Sequence, residues 1–238
     1  MPLYEQIFNH IMKDIENQVL REGDKLPTEV ELSRKFNVSR PTVRAALAKL
    51  DSMGYLNRIK GSGTYVAKPK LLQESTQFIE SYNQEMKSKG LVPKTLVLEF
   101  RAVPCNETVA SKLAIQTGTN VIKLKRLRYA APNYEERPVL LTTVYLPEKY
   151  ASGIMAYDLE KQSLYDVLKE NDIIINRVER VLEIKLLYGK QAKLLEVKEN
   201  SPAHFISSIG YTEDNTPIEY SESYYPADRN KFIIRINS

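Results

Sequence analysis

A chain of 238 residues with 42% apolar side chains is long for one compact unit and has material for ordinary cores in two. Its net charge of +4 is modest, so a nucleic-acid partner has to be sought in local charge, not in the total. The single Cys105 excludes an intramolecular disulfide and fits a reducing cytosol, and neither a basic-then-apolar leader nor a run of ~18 apolar residues points to secretion or a membrane span, so a cytoplasmic protein with no membrane partner is expected.

The chain opens with an amphipathic helix around Tyr4-Glu5-Gln6-Ile7-Phe8. The stretch from Leu26 to Val66 then carries the densest signal. Thr28 is a good N-cap, and Thr28-x-x-Glu31 fits a capping box, so a short helix starts just after Pro27. Val30, Leu32, Phe36 and Val38 supply its apolar side, and Asn37 ends it, since Asn tolerates the left-handed conformation. Ser39 caps a second helix, and Pro41 is tolerated in its first turn. Val43, Ala46, Leu47, Leu50 and Met53 recur at helical spacing as a buried stripe, and Gly54 stops the helix. Arg40 and Arg44 are four apart and share a face, with Thr42 beside them. Lys60-Gly61-Ser62-Gly63-Thr64-Tyr65-Val66 reads as a glycine-tipped hairpin. Two capped helices and a basic hairpin make a winged helix-turn-helix, which lays one helix in the major groove of DNA.

A solvated basic face is the plainer reading of these charges. Their distribution argues against it. From Arg34 to Lys68 there are eight Lys/Arg and one acid, whereas Met1 to Ser33 holds three bases and seven acids. Basic charge therefore gathers on the second helix and the hairpin, where phosphate would lie. Residues 1–68 resemble the N-terminal domain of the GntR family of bacterial transcription regulators. The matching residues are Leu26-Pro27-Thr28-Glu29, Leu32, Phe36, Val38-Ser39-Arg40, Thr42-Val43-Arg44, Ala46-Leu47, Leu50, Gly54 and Gly61-x-Gly63-Thr64-x-Val66. The resemblance implies contacts to bases and phosphates from Arg40, Thr42 and Arg44, and a glycine wing in the minor groove. The DNA-contact set is Thr28, Arg34, Ser39, Arg40, Thr42, Arg44, Lys60, Gly61, Ser62 and Gly63. Relatives often carry Arg where this chain has Val30, so their operator preference does not transfer.

A linker is expected at 69–76, where Pro69 breaks the wing strand, followed by a domain over 77–238. A helix fits Ser75 to Lys89, with Phe78, Ile79, Tyr82 and Met86 on one side and Gly90 at its end. The period then changes. Thr95–Val103, Asn120–Ala131, Pro138–Leu146, Ile173–Leu187, Ala203–Thr212, Pro217–Tyr225 and Phe232–Ile236 read as strands, with an Asp214-Asn215 turn before Pro217. Short helices fit Asn106–Ile115, Ser163–Asn171 and Gly189–Glu196, which makes this domain α+β with a largely antiparallel sheet.

Arg126 and Arg128 lie two apart on a predicted strand and leave the same face, where two planar donor forks suit a phosphate or carboxylate. Ser163 stands at a helix start, where its hydroxyl and the unpaired N–H groups favour an anion. A solvated strand edge paired with neighbouring acids is the competing reading of the arginines. This half resembles the UTRA effector-binding domain of the HutC subfamily, which shares its fold with chorismate lyase. The matching pieces are Lys125-Arg126-Leu127-Arg128-Tyr129, Tyr145-Leu146-Pro147, Ser163-Leu164-Tyr165, Glu183-Ile184, Ala192-x-Leu194-Leu195-x-Val197, Pro217-Ile218-Glu219-Tyr220-Ser221 and Tyr225-x-x-Asp228-Arg229-x-x-Phe232. The resemblance implies an effector pocket lined by Arg126, Arg128, Ser163 and Tyr165, with Glu219 and Tyr225 on the rest of the ligand. Thr142 stands where relatives usually carry Glu; it hydrogen-bonds a hydroxyl but cannot hold an amine. The turn over 130–136 is also longer than usual.

Nothing assembles a catalytic set. His10 and His204 are far apart, no His/Cys cluster has metal spacing, and Gly61-x-Gly63 is too short for a dinucleotide fingerprint. The expectation is therefore a non-enzyme without a cofactor: a homodimer on a palindromic double-stranded operator, released as a repressor by a small anionic effector such as a sugar phosphate. The residues do not separate repression from activation. A ligand-independent DNA-binding protein whose second domain only dimerises, and a regulator responding to a carboxylate with an apolar tail, stay open.

Overall fold

The computed structural model describes residues 1–67, 70–75, 82–131 and 137–234. The chain divides into two units, Met1–Lys70 and Leu71–Ser238.

In the first unit α1 spans Leu3–Glu16, α2 Glu29–Phe36 and α3 Arg40–Ser52, followed by the hairpin β1 (Leu56–Ile59) and β2 (Gly63–Val66). The capping box forms: Thr28 Oγ1 accepts from the Glu31 N–H at 3.3 Å, and Glu31 Oε2 accepts from the Thr28 N–H at 2.7 Å. Asn37 takes a left-handed conformation with φ 50°, and Ser39 caps α3 through the Thr42 N–H. Val43, Ala46, Leu47 and Leu50 of α3 pack with Ile7 and Ile11 of α1 and with Leu26, Leu32, Leu56 and Val66.

Two expected core positions are corrected. Met53 is 47% exposed because α3 ends one residue earlier and Gly54, at φ 80°, turns the chain away. Val30 is 37% exposed, since it lies two residues and so about 200° round the helix from Leu32. The hairpin also gains an unexpected third segment. The Leu26 N–H donates to Thr64 O and the Val66 N–H to Asp24 O, both at 2.8 Å. This brings Lys25 against the wing, where a Cβ at Gly63 (φ 140°) would meet Lys25 Cε at 2.6 Å.

In the second unit six strands form one antiparallel sheet among the described residues, in the order β4-β5-β6-β9-β8-β7. They are β4 (Val92–Pro104), β5 (Asn120–Ala131), β6 (Leu140–Pro147), β7 (Arg177–Leu187), β8 (Ser201–Tyr211) and β9 (Pro217–Pro226). A parallel pair, β3 (Leu71–Ser75) with β10 (Asn230–Ile234), stands apart from it. The helices are α4 (Tyr82–Ser88), α5 (Glu107–Leu113), α6 (Glu148–Ala151) with a 3-10 turn at Ser152–Ala156, α7 (Leu164–Glu170) and α8 (Gly189–Leu194).

Alternation on β5 sorts the core into two faces. Ile122 and Leu124 join Val144 and Leu146 of β6 beneath α6, the 3-10 turn and α7. Val121 and Leu127 point the other way, to α5 and α8. The β3–β10 pair is fixed by buried polar groups: Gln73 donates to Asn230 Oδ1 at 2.9 Å, Asn230 to Val139 O at 2.9 Å, and Arg229 to Pro138 O at 2.6 Å.

Several boundaries differ from the sequence pattern. The segment 69–76, expected as a linker, contains β3, so Ser75 is a strand residue and not a helix start. Of the helix expected there, Tyr82 and Met86 fall in α4, while Phe78 and Ile79 lie outside the described residues, as do 132–136 of the expected turn and Ile236. β7 begins at Arg177 and not at Ile173, because Ile173 and Ile175 turn into the cluster under α7. The 3-10 turn and α6 have no clear period to announce them.

Leu50 is fully buried and Met53 is not. Leu50→Ala should therefore destabilise the first unit by about 2–5 kcal/mol in denaturant unfolding, and Met53→Ala by under about 0.5 kcal/mol.

Candidate functional site

The side chains expected to carry function fall into two sets, one in each unit. In the first, Ser39, Arg40, Thr42 and Arg44 lie in the cap and first turns of α3, with Arg40 and Arg44 exposed. Thr28 caps α2, and Arg34 is exposed in its last turn. Lys60, Gly61 and Ser62 form the exposed tip of the hairpin, and Gly63 starts its second strand. Glu29 joins this set from the structure alone. Its Oε2 receives Arg44 Nη2 at 3.1 Å and lies 3.7 Å from Arg40 Nη2. The hydrogen bond from Arg44 holds the Glu29 carboxyl below the usual range. One carboxylate thus aims two guanidinium groups along the same face. The available signal is the Glu of Leu26-Pro27-Thr28-Glu29, which gives no hint of its partners, because Arg44 is fifteen residues away on the next helix.

In the second unit all seven expected residues line one cavity of about 270 Å³: Arg126, Arg128, Thr142, Ser163, Tyr165, Glu219 and Tyr225. Sheet register brings them together. Arg126 opposes Thr142, which opposes Ser223, whose Oγ donates to Thr142 Oγ1 at 3.1 Å. Glu219 lies opposite Gly210, where a Cβ would crowd the Glu219 Cβ and Ile175 at 3.2 Å. Ser163 is the N-cap of α7 and accepts from the Asp166 N–H, so one turn delivers both Ser163 and Tyr165 to the cavity. From the other side come Tyr82 of α4, Gln73 of β3 and Phe232 of β10.

The electrostatics of this cavity are unbalanced. Arg126 and Arg128 are 3% and 7% exposed, which removes the solvated-edge reading. Arg128 has partial compensation: Nη1 donates to Thr95 Oγ1 at 3.0 Å, and its guanidinium sits 4.6 Å from the Tyr82 ring centroid. Yet Arg126 Nε and Nη1, Arg128 Nε and Glu219 Oε2 are buried with no hydrogen-bond partner among the described residues. Burial, and then the charge of Arg128, pushes Arg126 well below the ordinary guanidinium range; burial brings Arg128 down to about 10. Burial raises Glu219, against the pull of the Tyr165 hydroxyl, which donates to it at 3.4 Å, and of Arg126. Burial also raises Tyr165, and pushes Tyr225 up to about 12. Both therefore stay protonated donors at neutral pH. A guanidinium does not give up its proton in a protein, so the cost of burial remains as strain that an anion would relieve.

Arg180 of β7 also lines the cavity, as do Ser221 and Asn83, none of them expected there from sequence. Arg180 shares its face of β7 with Val178, Leu182, Ile184 and Leu186, and its being the one charge in that apolar row is the signal that could have found it. Ser221 belongs to the Pro217–Ser221 motif, but the motif alone gives it no role.

Comparison with known proteins bears on both units. The profile for bacterial regulatory proteins of the gntR family matches residues 3–66, and that for the UTRA domain matches 88–231. The chain belongs to the GntR family of transcription regulators, in the HutC subfamily that joins this helix-turn-helix to a UTRA domain. It binds DNA through the first unit and an effector through the second, and it is not an enzyme. It is 30% identical to the HTH-type transcriptional repressor NagR of Bacillus subtilis (strain 168), over 98% of this chain and 94% of that one. It is 28% identical to the mannosyl-D-glycerate transport/metabolism system repressor MngR of Escherichia coli (strain K12), over 98% and 95%. Among solved structures, PhnF from Mycobacterium smegmatis aligns over the whole of both chains with a TM-score of 0.77 and 26% identity. No helix among the described residues is long and apolar enough to cross a membrane.

Arg126 and Glu219 are two buried charges whose hydrogen bonds are incomplete. Arg126→Met/Glu219→Leu, which replaces both with apolar side chains, should leave the unliganded protein as stable or more stable by up to about 4 kcal/mol in denaturant unfolding. A loss of stability would show that the pair is internally compensated.

Proposed function

We propose that the protein is a homodimeric repressor that leaves a palindromic operator when a small phosphorylated sugar fills the UTRA cavity. The carrying observation is the set of buried guanidinium nitrogens, on Arg126 and Arg128, that have no partner among the described residues. A dianion meets several such donors at once, and Ser163 adds a hydroxyl. Glu219 Oε2, also without a partner, accepts from a ligand hydroxyl, Tyr225 packs on the body, and Thr142 adds a neutral contact. The volume of about 270 Å³ lies just below the usual range of ligand sites, roughly 300–1,000 Å³, which favours a compact metabolite over a long acyl chain. The competing carboxylate with an apolar tail draws support from Leu140, Val144, Leu164, Leu182 and Ile206 in the lining.

On the DNA side the proposal takes Arg40 and Arg44 into the major groove, braced by Ser39, Thr42, Thr28 and Arg34, with Lys60 to Gly63 at the minor groove. One winged helix reads few base pairs, so two copies on two half-sites are required for a specific operator. Repression follows the names of the NagR and MngR relatives, both called repressors. The sign needs a ligand that favours one arrangement of the DNA-binding units over another. Gln73 and Tyr82 line the cavity and stand on the segment that follows the first unit in the chain, which gives the ligand a handle on that arrangement.

Calorimetric titration tests the ligand class. A sugar phosphate should bind more tightly than the free sugar or a fatty acid, and Arg126→Ala/Arg128→Ala should abolish that preference. Phosphate monoesters give up their second charge near pH ~6, so affinity should fall as pH drops from about 7 to about 5. A carboxylate stays ionised to about pH 5 and should hold its affinity across that window. Glu219→Gln, measured beside the wild type, removes the contribution of that carboxyl to the profile. An affinity indifferent to the arginines would sink the reading. For DNA, Arg40→Ala/Arg44→Ala at fixed salt should weaken operator binding by about 1–3 kcal/mol for each arginine that pairs bidentately with a base; unchanged operator affinity would refute the assignment.

A further inference from the structure

Strand β7 is the last strand of the sheet, eleven residues long, and pairs with β8 without a register shift. Its large apolar side chains lie open: Val181 is 56% exposed, Leu182 44%, Ile184 62% and Leu186 47%, with Tyr188 beyond them at 52%. A long, regular, apolar edge is a template for another strand, and proteins that must avoid such pairing blunt their edges. The other edge of the same sheet is blunted. β4 has a register shift between Val97 and Glu99, and its Val97 N–H is taken by Glu160 Oε1 at 2.8 Å. β7 has no register shift; its guard is charge alone, from Arg177, Glu179, Arg180, Glu183 and Lys185, which restricts the strand that can pair with it.

We propose that β7 pairs antiparallel with β7 of a second copy, about a two-fold axis at Ile184. This rests on the homodimer reading above and deepens it by naming the contact. The charges on the strand select the register. Faces are preserved only if the axis passes through a residue, so that odd positions oppose odd ones. An axis at Val181 sets Glu179 against the partner's Glu183 and Arg177 against the partner's Lys185, like charge on like. An axis at Glu183 sets that carboxylate on itself. An axis at Leu182 matches Glu179 with the partner's Lys185 but drives Arg180 onto the partner's Ile184. An axis at Ile184 satisfies both faces. Glu183 meets the partner's Lys185, Leu182 meets the partner's Leu186, Ile184 meets itself, and Arg180 reaches the partner's Tyr188. Within one chain Lys185 Nζ is already 3.8 Å from Glu183, so each ammonium would sit between two carboxylates. Opposed apolar and opposite-charge pairs are the units that stabilise antiparallel strands.

The pairing has a consequence for the cavity. Arg180 and Leu182 line it and belong to the same strand. The wall that a ligand touches is then also the strand that two copies share. A ligand drawing on Arg180 acts on the dimer contact without a longer relay.

Sedimentation equilibrium of the full chain tests this with Ile184→Glu, which places two carboxylates face to face at the axis. Ile184 is largely exposed in one chain, so circular dichroism and the thermal midpoint should stay at their wild-type values. The dimer dissociation constant should rise by at least about tenfold. In parallel, Ile184→Cys should oxidise to a covalent dimer while Leu182→Cys should not, because only the axis residue faces itself; the native Cys105 is buried. A wild-type dimer that Ile184→Glu leaves equally tight, or cross-linking by Leu182→Cys in preference to Ile184→Cys, overturns the β7 contact alone. A wild type that is monomeric at every concentration overturns the homodimer reading with it.

Discussion

The second unit is organised around two guanidinium groups held where a sheet would ordinarily hold hydrocarbon. On β5 the core-facing stripe runs Ile122, Leu124, Arg126, Arg128, Ala130, and two of its members are cations that are almost fully buried. Desolvating a charge is among the largest unfavourable terms in a folded protein. The surrounding elements make that arrangement tolerable without neutralising it. Thr95 and the Tyr82 ring take part of Arg128, and Glu219 offers Arg126 a long-range countercharge. Neither satisfies every donor. The sheet is stable because Ile122, Leu124, Val144 and Leu146 fill the same face further along under α6 and α7, leaving the arginine end free to be a site.

Closure of that end depends on segments distant in sequence. Tyr82 donates to Tyr129 O at 2.9 Å, so α4 is tied to the strand that bears the arginines. The β3–β10 pair brings Gln73 and Phe232 over the cavity and is itself pinned through Asn230 and Arg229 to Val139 and Pro138, at the entry of β6. Among the described residues, the elements around Arg126 and Arg128 are thus hydrogen-bonded to one another. Preorganised donors of this kind lose little freedom when a ligand arrives, which lets the desolvation already incurred by the arginines appear as affinity.

Most of the fold is legible in the sequence, for identifiable reasons. The caps at Thr28 and Ser39 and the left-handed Asn37 are local chemistry, decided within a few residues, and each takes its expected role. β5 matches its expected bounds to the residue, although Arg126 and Arg128 replace hydrocarbon in its core-facing row. What escapes is non-local. The strand β3 lacks any pattern of its own, and its partner lies more than a hundred and fifty positions away in β10. The extended segment that carries Lys25 becomes structure only by pairing with Tyr65. In the cavity, residues on motif-bearing strands are legible, whereas Arg180 is not. Its strand carries no motif that assigns it a role, and only its place as the one charge among Val178, Leu182, Ile184 and Leu186 marks it.

The two units treat arginine in opposite ways, and the contrast bears on how one site could govern the other. Arg40 and Arg44 are exposed and already share Glu29. Exchanging that carboxylate for a phosphate or a base edge trades one partner for another in water, where an ion pair contributes little. Specific affinity for DNA must then come from several such contacts acting together. Arg126 and Arg128 have no equivalent carboxylate hydrogen-bonded to them among the described residues, so the first anion to arrive gains the whole of a buried, low-dielectric interaction. A small ligand can therefore release more free energy from two side chains than a single DNA contact does from one. A ligand shifts the equilibrium between DNA-bound and DNA-free arrangements only by its differential affinity for them, so what counts is not how tightly the arginines hold an anion but which of its contacts differ between the two arrangements.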